Sequence, residues 1–359
     1  MKKKNFWKGK KVFITGHTGF KGSWLTLLLK SLGANVVGYA LDPISKPNFF
    51  DDLKLSKYLD KDCRQDILNL NILKKEVKRA KPSIVFHLAA QSSVLVSYEK
   101  PKQTIETNVL GSSCFFEAIR DVKSIKSAIV VTTDKVYLNL ENKKQFKENS
   151  TLGGFDVYSS SKAACEIITE SYIKSFFSKN KCKISTVRSG NCIGGGDWTK
   201  DRIIKDCVES FIKNKNLIIR SPDATRPWQH VLDPLCGYLK LAEKMYFDKN
   251  NKFVGAWNFG PNKNKNLKVK EIVKIGKTIL NSKSRIIFKK KKFYESKNLS
   301  LNSSKSKKIL KWKTEAKELD ALNMTFEWYK NFYNKKLRKN LIKLSFDQIK
   351  EFKIRHRIF

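Results

Sequence analysis

Tyr158 and Lys162 stand four residues apart, in a stretch from 157 to 177 whose pattern predicts a long helix. On a helix that spacing places both side chains on one face. A phenol normally loses its proton at about pH 10. A lysine ammonium, joined by a nicotinium cation, stabilises the phenolate. Such a tyrosine can take the proton of a substrate hydroxyl as hydride leaves for a nicotinamide. The pattern Tyr-x-x-x-Lys arises often by chance. It gains specificity from the small residues in Tyr158-Ser159-Ser160-Ser161-Lys162 and from a glycine loop near the N-terminus.

That loop is Thr15-Gly16-His17-Thr18-Gly19-Phe20-Lys21-Gly22, with glycines at 16, 19 and 22. It joins a predicted strand, 12–15, to a predicted helix, 23–32. Gly16 lets the chain turn sharply, Gly19 lets backbone amides reach a pyrophosphate, and Gly22 lets the helix pack closely on the strand. The helix N-terminus adds N–H donors and partial positive charge. With a strand before and a helix after, the spacing predicts a dinucleotide-binding loop rather than a plain turn, with Thr18 and Phe20 also at the cofactor.

Asp42 lies twenty residues after Gly22, closing the second predicted strand, 35–41. An acidic side chain there accepts hydrogen bonds from the adenosine ribose and repels a 2′-phosphate, which favours NAD over NADP. The plain alternative is a turn aspartate ahead of Pro43. Asp66 and Ile67 are candidates for the adenine edge. The run His87-Leu88-Ala89-Ala90-Gln91 closes another strand with small residues, which suit backbone beside a cofactor; His87 itself reads as a packed strand-end histidine.

The elements that must hold these groups alternate. Strands are expected at 12–15, 35–41, 83–88, 127–133 and 183–188, and helices at 23–32, 104–119 and 157–177. This order predicts an α/β fold, a Rossmann-type doubly wound parallel sheet with right-handed crossovers. Beyond about residue 190 the pattern turns irregular, as expected of a smaller C-terminal α/β substrate domain on the sheet's edge. The expected division is 1–188 for the NAD-binding domain and 189–359 mainly for substrate, with some segments returning to the sheet. The basic tail, 331–359, is expected to be an amphipathic helix packed on the cap, with membrane-surface contact as the alternative. The four-lysine run 289–292 reads as a solvated turn.

Of the 359 residues, 41% are hydrophobic, ample for one large or two fused cores. No apolar run approaches the ~20 residues of a membrane helix. The basic start, residues 1–4, is followed by too short an apolar stretch for a secretion signal. Seven scattered cysteines form no Cys-x-x-Cys, and the four histidines (17, 87, 230, 356) do not pair at metal-ligand spacing. Neither a disulfide framework nor a metal site is expected, and a reducing cytoplasm fits. The net charge of +40 raises nucleic acid or an anionic membrane as partners. Lysine is spread along the chain rather than gathered on one element, which reads as drift towards AT-rich codons. The charge should still draw an anionic nucleotide ligand.

The chain resembles the extended short-chain dehydrogenase/reductases, and within them the bacterial CDP-glucose 4,6-dehydratases. The match covers roughly residues 5–330. It is carried by Phe6-Trp7-Lys8-Gly9-Lys10, by 15–24, 38–42, Ala89-Ala90-Gln91, 132–137, 188–198, 226–231 and 257–261. Most specific are Gly194-Gly195-Gly196-Asp197-Trp198 and Arg226-Pro227-Trp228-Gln229-His230-Val231. One departure is Val94-Leu95-Val96, where the family typically places an arginine.

The resemblance implies conversion of CDP-glucose to CDP-4-dehydro-6-deoxyglucose with bound NAD, feeding deoxysugars for surface polysaccharide. It assigns dehydration to Thr133-Asp134-Lys135; related dTDP-glucose dehydratases carry Asp-Glu at the equivalent pair, and the CDP-glucose family Asp-Lys. Oxidation at sugar C4 acidifies the C5 proton. A base removes it while an acid protonates the departing C6 hydroxyl. Asp134 is the natural acid if burial raises its pKa. Lys135 is either the base, with a lowered pKa, or an electrostatic stabiliser of the enolate. Gln91, Asn191, Arg202, Arg220 and Arg226 are implied substrate contacts, arginine's fork suiting phosphate or the pyrimidine edge. His230 is either a donor to substrate or a packed histidine. A homodimer or homotetramer is implied. Rival readings are an epimerase or another nucleotide-sugar dehydratase and, from a different class, a basic nucleic-acid-binding protein without catalysis.

Overall fold

Val12, Phe13 and Ile14 are buried on both faces, as a strand between two helical layers must be. The computed structural model describes residues 5–141, 145–177, 182–200, 202–219, 221–261, 267–289 and 299–358. The first half contains strands β1 (Lys11–Thr15), β2 (Asn35–Ala40), β3 (Lys61–Arg64), β4 (Ile84–His87), β5 (Ser127–Val131) and β6 (Lys183–Ser189). Between them lie helices α1 (Phe20–Ser31), α2 (Phe49–Asp52), α3 (Leu70–Ala80), α4 (Val94–Glu99), α5 (Pro101–Ile105), α6 (Gly111–Ile119) and α7 (Val157–Tyr172).

The second half adds short strands β7 (Cys192–Ile193), β8 (Leu217–Ile219), β9 (Gln229–His230), β10 (Gly255–Phe259) and β11 (Ile286–Phe288). Its helices are α8 (Ile203–Ile212), α9 (Leu232–Tyr246), α10 (Val269–Ile279), α11 (Ser304–Leu310), α12 (Glu318–Tyr333) and α13 (Leu341–His356). Seven strands form one sheet in the order β10-β6-β5-β4-β1-β2-β3, every pairing parallel. Two small parallel sheets, β11-β8 and β7-β9, lie outside it. The fold is the expected α/β Rossmann-type sheet. Segments from beyond residue 188 rejoin it: β10 pairs with β6, and α9 packs on β5 and β6.

Two predicted helices are interrupted. The stretch 104–119 is not one helix; α5 gives way to a π-helical turn, Glu106–Leu110, before α6 begins. Such a turn is often a functional bulge, and here it buries Asn108, whose side chain bonds Gln91 and Ser161. The stretch 157–177 ends likewise in a π-helical turn, Ile173–Phe177. The strand expected to reach Thr133 stops at Val131, because Thr133 caps a short turn, Asp134–Val136, by accepting from the Lys135 amide.

The tail forms a packed helix, as expected, but its contacts extend beyond the cap. Helix α13 packs on α1 and α9 of the sheet's helical layer as well as on α12. Lys353 Nζ donates to Ser31 O at 2.9 Å, and His356 Nε2 meets the buried Asp233 Oδ1 at 2.8 Å. Its apolar face is covered by the protein itself. Lys289 follows β11, and the rest of the lysine run, 290–292, lies outside the described residues. Among the described residues no helix is long and apolar enough to cross a membrane.

Candidate active site

The carboxyl ends of the central strands open into one cavity of about 900 Å³. It includes the point where β1 has β2 on one side and β4 on the other, the place where open α/β sheets bind ligands. The glycine loop follows β1. Gly16 has φ +77°, and a Cβ there would lie 2.6 Å from Ala89 N. At Gly22 a Cβ would lie 2.1 Å from Gly16 O, so helix and loop are in direct contact. Gly19 differs: its nearest neighbour would be 3.5 Å away, which leaves room on the cavity side.

Thr18, Phe20, Asp42, Asp66, Ile67, Leu88, Ala89 and Ala90 line the same cavity. Asp42 is well exposed, and Arg64 Nη1 reaches it at 3.0 Å. Arg64 Nε also meets Asp62 at 2.7 Å, and His17 Nε2 meets the same Asp62 oxygen at 2.8 Å. Burial alone would raise the Asp62 carboxyl; the hydrogen bonds from His17 and Arg64 outweigh it and bring its pKa to about 2. His17 therefore braces the loop from behind, its ring filling the space beside Gly38.

Asp156 caps α7, accepting from Ser159 N at 2.9 Å and from Ser159 Oγ at 2.6 Å. This cap sets the first turn, which carries Tyr158. Tyr158 and Lys162 are both buried and both line the cavity. Lys162 Nζ donates to Val131 O at 3.0 Å, at the end of β5. Burial raises the Tyr158 pKa, opposed by a hydrogen bond with Thr133 and by the charges of Arg202 and Lys21. Burial lowers the Lys162 pKa, and Lys21 lowers it further.

Thr133, Asp134 and Lys135 follow β5 and line the cavity together. Asp134 is 1% exposed. Its Oδ1 accepts from Thr133 Oγ1 at 3.1 Å, while its buried Oδ2 has no hydrogen-bond partner. Burial raises its pKa, although Lys135, Thr133, Arg226 and Lys21 oppose the shift. A buried carboxyl with one free oxygen is suited to hold a proton and give it up to a leaving group.

Asn191, Arg202 and Arg226 line the remaining wall. Arg226 is buried and donates from Nη1 to Thr225 O at 2.8 Å. Arg220 lies outside the described residues. Two of the residues implied as substrate contacts lie off the cavity lining. Gln91 does not line the cavity; its amide donates to Ser93 O and Thr104 Oγ1, both at 2.9 Å, and so ties its own turn. His230 is also off the cavity and fully buried, stacked on Phe352 with centroids 4.8 Å apart. Val94 and Leu95 reach the cavity and make that stretch of wall apolar.

The glycine run 194–196 owes its composition to packing. A Cβ at Gly195 would lie 2.1 Å from Trp328 Cγ, and Gly196 has φ +80° against Phe49. Trp24 Nε1 donates to Gly195 O at 3.0 Å, which ties the run to α1. Sequence reasoning gave no role to Lys21, half-buried at the cavity wall, or to Ser189, Tyr238 and Asn108, which are buried at or behind it. Lys21 was visible as part of the glycine loop, but its direction was not. Among the described residues no group of three or more His, Cys, Asp or Glu is placed to hold a metal ion.

A dinucleotide cradle, a Tyr–Lys pair and a buried carboxyl beside a lysine are thus gathered at one cavity. The family model described as GDP-mannose 4,6 dehydratase matches residues 13–325. The chain belongs to the nucleotide-sugar dehydratase family, within the extended short-chain dehydrogenases. Among similar members, the CDP-glucose 4,6-dehydratase of Salmonella typhimurium is 40% identical over 333 residues, 91% of this chain and 92% of that protein. The human dTDP-D-glucose 4,6-dehydratase is 26% identical over 341 residues, 90% of this chain and 91% of that protein.

Solved structures share the fold. That of a dTDP-glucose 4,6-dehydratase from Bacillus anthracis with NAD has TM-score 0.76 and 22% identity, covering 93% of this chain and 100% of that one. The UDP-glucose 4-epimerase of Thermotoga maritima with UDP-glucose has TM-score 0.75 and 20% identity, covering 89% and 98%.

Proposed function

We propose that this nucleotide-sugar dehydratase acts on CDP-glucose with NAD, yielding CDP-4-dehydro-6-deoxyglucose and water. The observation that carries the reading is Asp134, buried with one oxygen unpartnered, next to Lys135 and on the same cavity as Tyr158. An epimerase has no leaving C6 hydroxyl to protonate, so this pair favours dehydration. The identity to the Salmonella typhimurium enzyme favours the cytidine nucleotide.

The residues present fit NAD. Gly16 and Gly22 close the loop on itself, Gly19 leaves space, and the first turn of α1 presents free amides. Asp42 is exposed at the end of β2 to accept from a ribose. NAD, when bound, supplies a hydride acceptor for C4 and a donor for C6.

Tyr158 receives the C4 hydroxyl proton, with Lys162 held on the same helix face. Thr133 links Tyr158 to Asp134 by hydrogen bonds. Asp134 gives its proton to the departing C6 oxygen. Lys135 acts at C5, as the base or as the cation that steadies the enolate. Asn191, Arg202 and Arg226 hold the diphosphate side, arginine's planar fork matching phosphate oxygens.

Exposed Ile105, Leu110, Ile167 and Phe176 lie on or beside α5 and α7, which pack together, and support a homodimer through these helices. The deciding experiment is incubation with CDP-, dTDP-, UDP- and GDP-hexoses, followed by mass spectrometry for loss of water. Product from CDP-glucose is expected. No dehydrated product from any of the four would sink the reading.

A further inference from the structure

Arg64 has no part in the scheme above, yet each of its guanidinium nitrogens meets a carboxylate. It is the last residue of β3 and stands beside Ala40 of β2, two residues before Asp42. Nε donates to Asp62 Oδ1 at 2.7 Å and Nη2 to Asp62 Oδ2 at 2.9 Å, a two-pronged contact. Nη1 donates to Asp42 Oδ1 at 3.0 Å. The guanidinium also lies over the Phe50 ring, 4.7 Å from its centroid. His17 of the glycine loop meets the same ring edge-on, with centroids 5.3 Å apart, and shares Asp62 Oδ1 at 2.8 Å. Thr18 Oγ1 donates to Leu41 O at 2.9 Å, so the residue before Asp42 is tied to that loop as well.

The two ends of this chain of contacts differ. The Arg64 side chain is 28% exposed and is fixed by the Asp62 fork and the Phe50 face. The Asp42 side chain is 85% exposed and lines the cavity, and Arg64 is what holds it. Among the described residues its second oxygen, Oδ2, has no partner. Two carboxylates share one guanidinium charge, so the group as a whole stays negative towards the cavity. A ribose hydroxyl can donate to such a carboxylate, whereas a 2′-phosphate meets a like charge.

We propose that Arg64 sets how strongly this chain selects NAD over NADP, by fixing the Asp42 carboxylate at the place a 2′-phosphate would take. Arg64 acts through Asp42 and is a positioning residue. Carboxylate and phosphate oxygens accept the same guanidinium fork. An anion put in place of the Asp42 carboxylate would therefore find the Arg64 Nη1 donor already in position, because Asp62 and Phe50 hold that side chain without help from Asp42. Selectivity then depends on one carboxylate standing in front of a built phosphate anchor.

The inference rests on the reading of NAD at the glycine loop, and its test is binding rather than turnover. Full-length protein freed of bound dinucleotide is titrated calorimetrically with NAD and with NADP. In Arg64→Met the affinity for NADP is expected to fall about tenfold, because Asp42 and Asp62 then repel the phosphate unopposed, while that for NAD changes about threefold at most. Selectivity for NAD therefore rises, whereas a merely structural fault lowers both affinities by the same factor. Asp42→Ser is expected to gain about tenfold in NADP affinity, and adding Arg64→Met to it is expected to remove the gain. Arg64→Gln takes the place of Arg64→Met should that variant not fold. A native NAD-to-NADP affinity ratio in both Arg64 variants, or an NADP gain that survives in the double variant, would overturn the proposal and leave the NAD reading standing. A native protein that binds neither dinucleotide would remove the NAD reading, and the role of Arg64 with it.

Discussion

The Arg188 guanidinium and the Glu166 carboxylate meet side by side beneath helix α7, with Nε–Oε1 at 2.9 Å and Nη2–Oε2 at 2.8 Å. Both side chains are almost fully buried. Glu166 lies one turn beyond Lys162 on α7, and Arg188 lies on β6. The pair gathers further strands. Glu166 accepts from Thr132 and Thr186, while Arg188 Nη1 donates to Tyr137 OH at 2.7 Å. Tyr137 in turn donates to Asn258 Oδ1 on β10 at 2.8 Å. The helix that carries Tyr158 and Lys162 is therefore pinned to β6 by a charge pair in which both carboxylate oxygens are engaged.

Removing one half of this pair leaves a buried charge without its partner. Arg188→Met is expected to destabilise the protein by about 3–5 kcal/mol, the usual cost of breaking a buried pair. Arg188→Met with Glu166→Leu should recover much of it, because the orphaned carboxylate is gone. Urea unfolding of the single and double variants measures both. A single variant as stable as the parent would show that the pair is not buried as described.

Tyr158→Phe keeps the ring and removes the proton acceptor. The first hydride transfer is expected to vanish, with no transient NADH absorbance on mixing with CDP-glucose. Lys135→Ala is expected to keep part of the C4 oxidation and to lose dehydration. Mass spectrometry separates the two, since oxidation alone removes hydrogen and dehydration removes water. Normal turnover by Lys135→Ala would assign the C5 step elsewhere.

Gly22→Ala adds one carbon where Gly16 O is 2.1 Å away. The loop and α1 must separate, so both NAD affinity and melting temperature are expected to fall. Gly19→Ala is the contrast, since no protein atom lies closer than 3.5 Å to the added carbon. It is expected to leave melting unchanged while weakening NAD, because the free space is on the cavity side. Calorimetric titration with NAD and thermal melts check both. Equal loss of melting temperature in the two variants would contradict this division.

His87 and His230 are buried, and burial lowers each pKa from 6.5 to about 3. Their folded-state values lie below the unfolded one. Their contribution to stability is therefore complete above pH 6.5 and is lost as pH falls towards about 3. Each can remove up to about 1.4 kcal/mol per pH unit within that window. His230→Phe, stacked in the same place on Phe352, is expected to flatten the acid limb of stability. Urea unfolding at pH steps between 7 and ~4 reads the slope. An unchanged slope would mean that His230 is not held neutral in the fold.

The roles of Asp134 and Lys135 came from the family resemblance, whereas the glycine loop and the Tyr158–Lys162 face were legible in the residues themselves. Each of the latter two depends on spacing within one turn or one helix, where backbone geometry alone brings the residues together. The alternation of strands and helices likewise decided the parallel sheet. What the sequence by itself did not decide is where a side chain goes once distant segments pack against it. Gln91 folds back on Ser93 and Thr104, His230 is claimed by Phe352 of the C-terminal helix, and Lys21 turns to Ser189. The tail lies on α1 and α9 because His356 and Lys353 find Asp233 and the end of α1. Burial and partner choice are set by contacts between segments far apart along the chain, and only the tertiary structure brings those segments together.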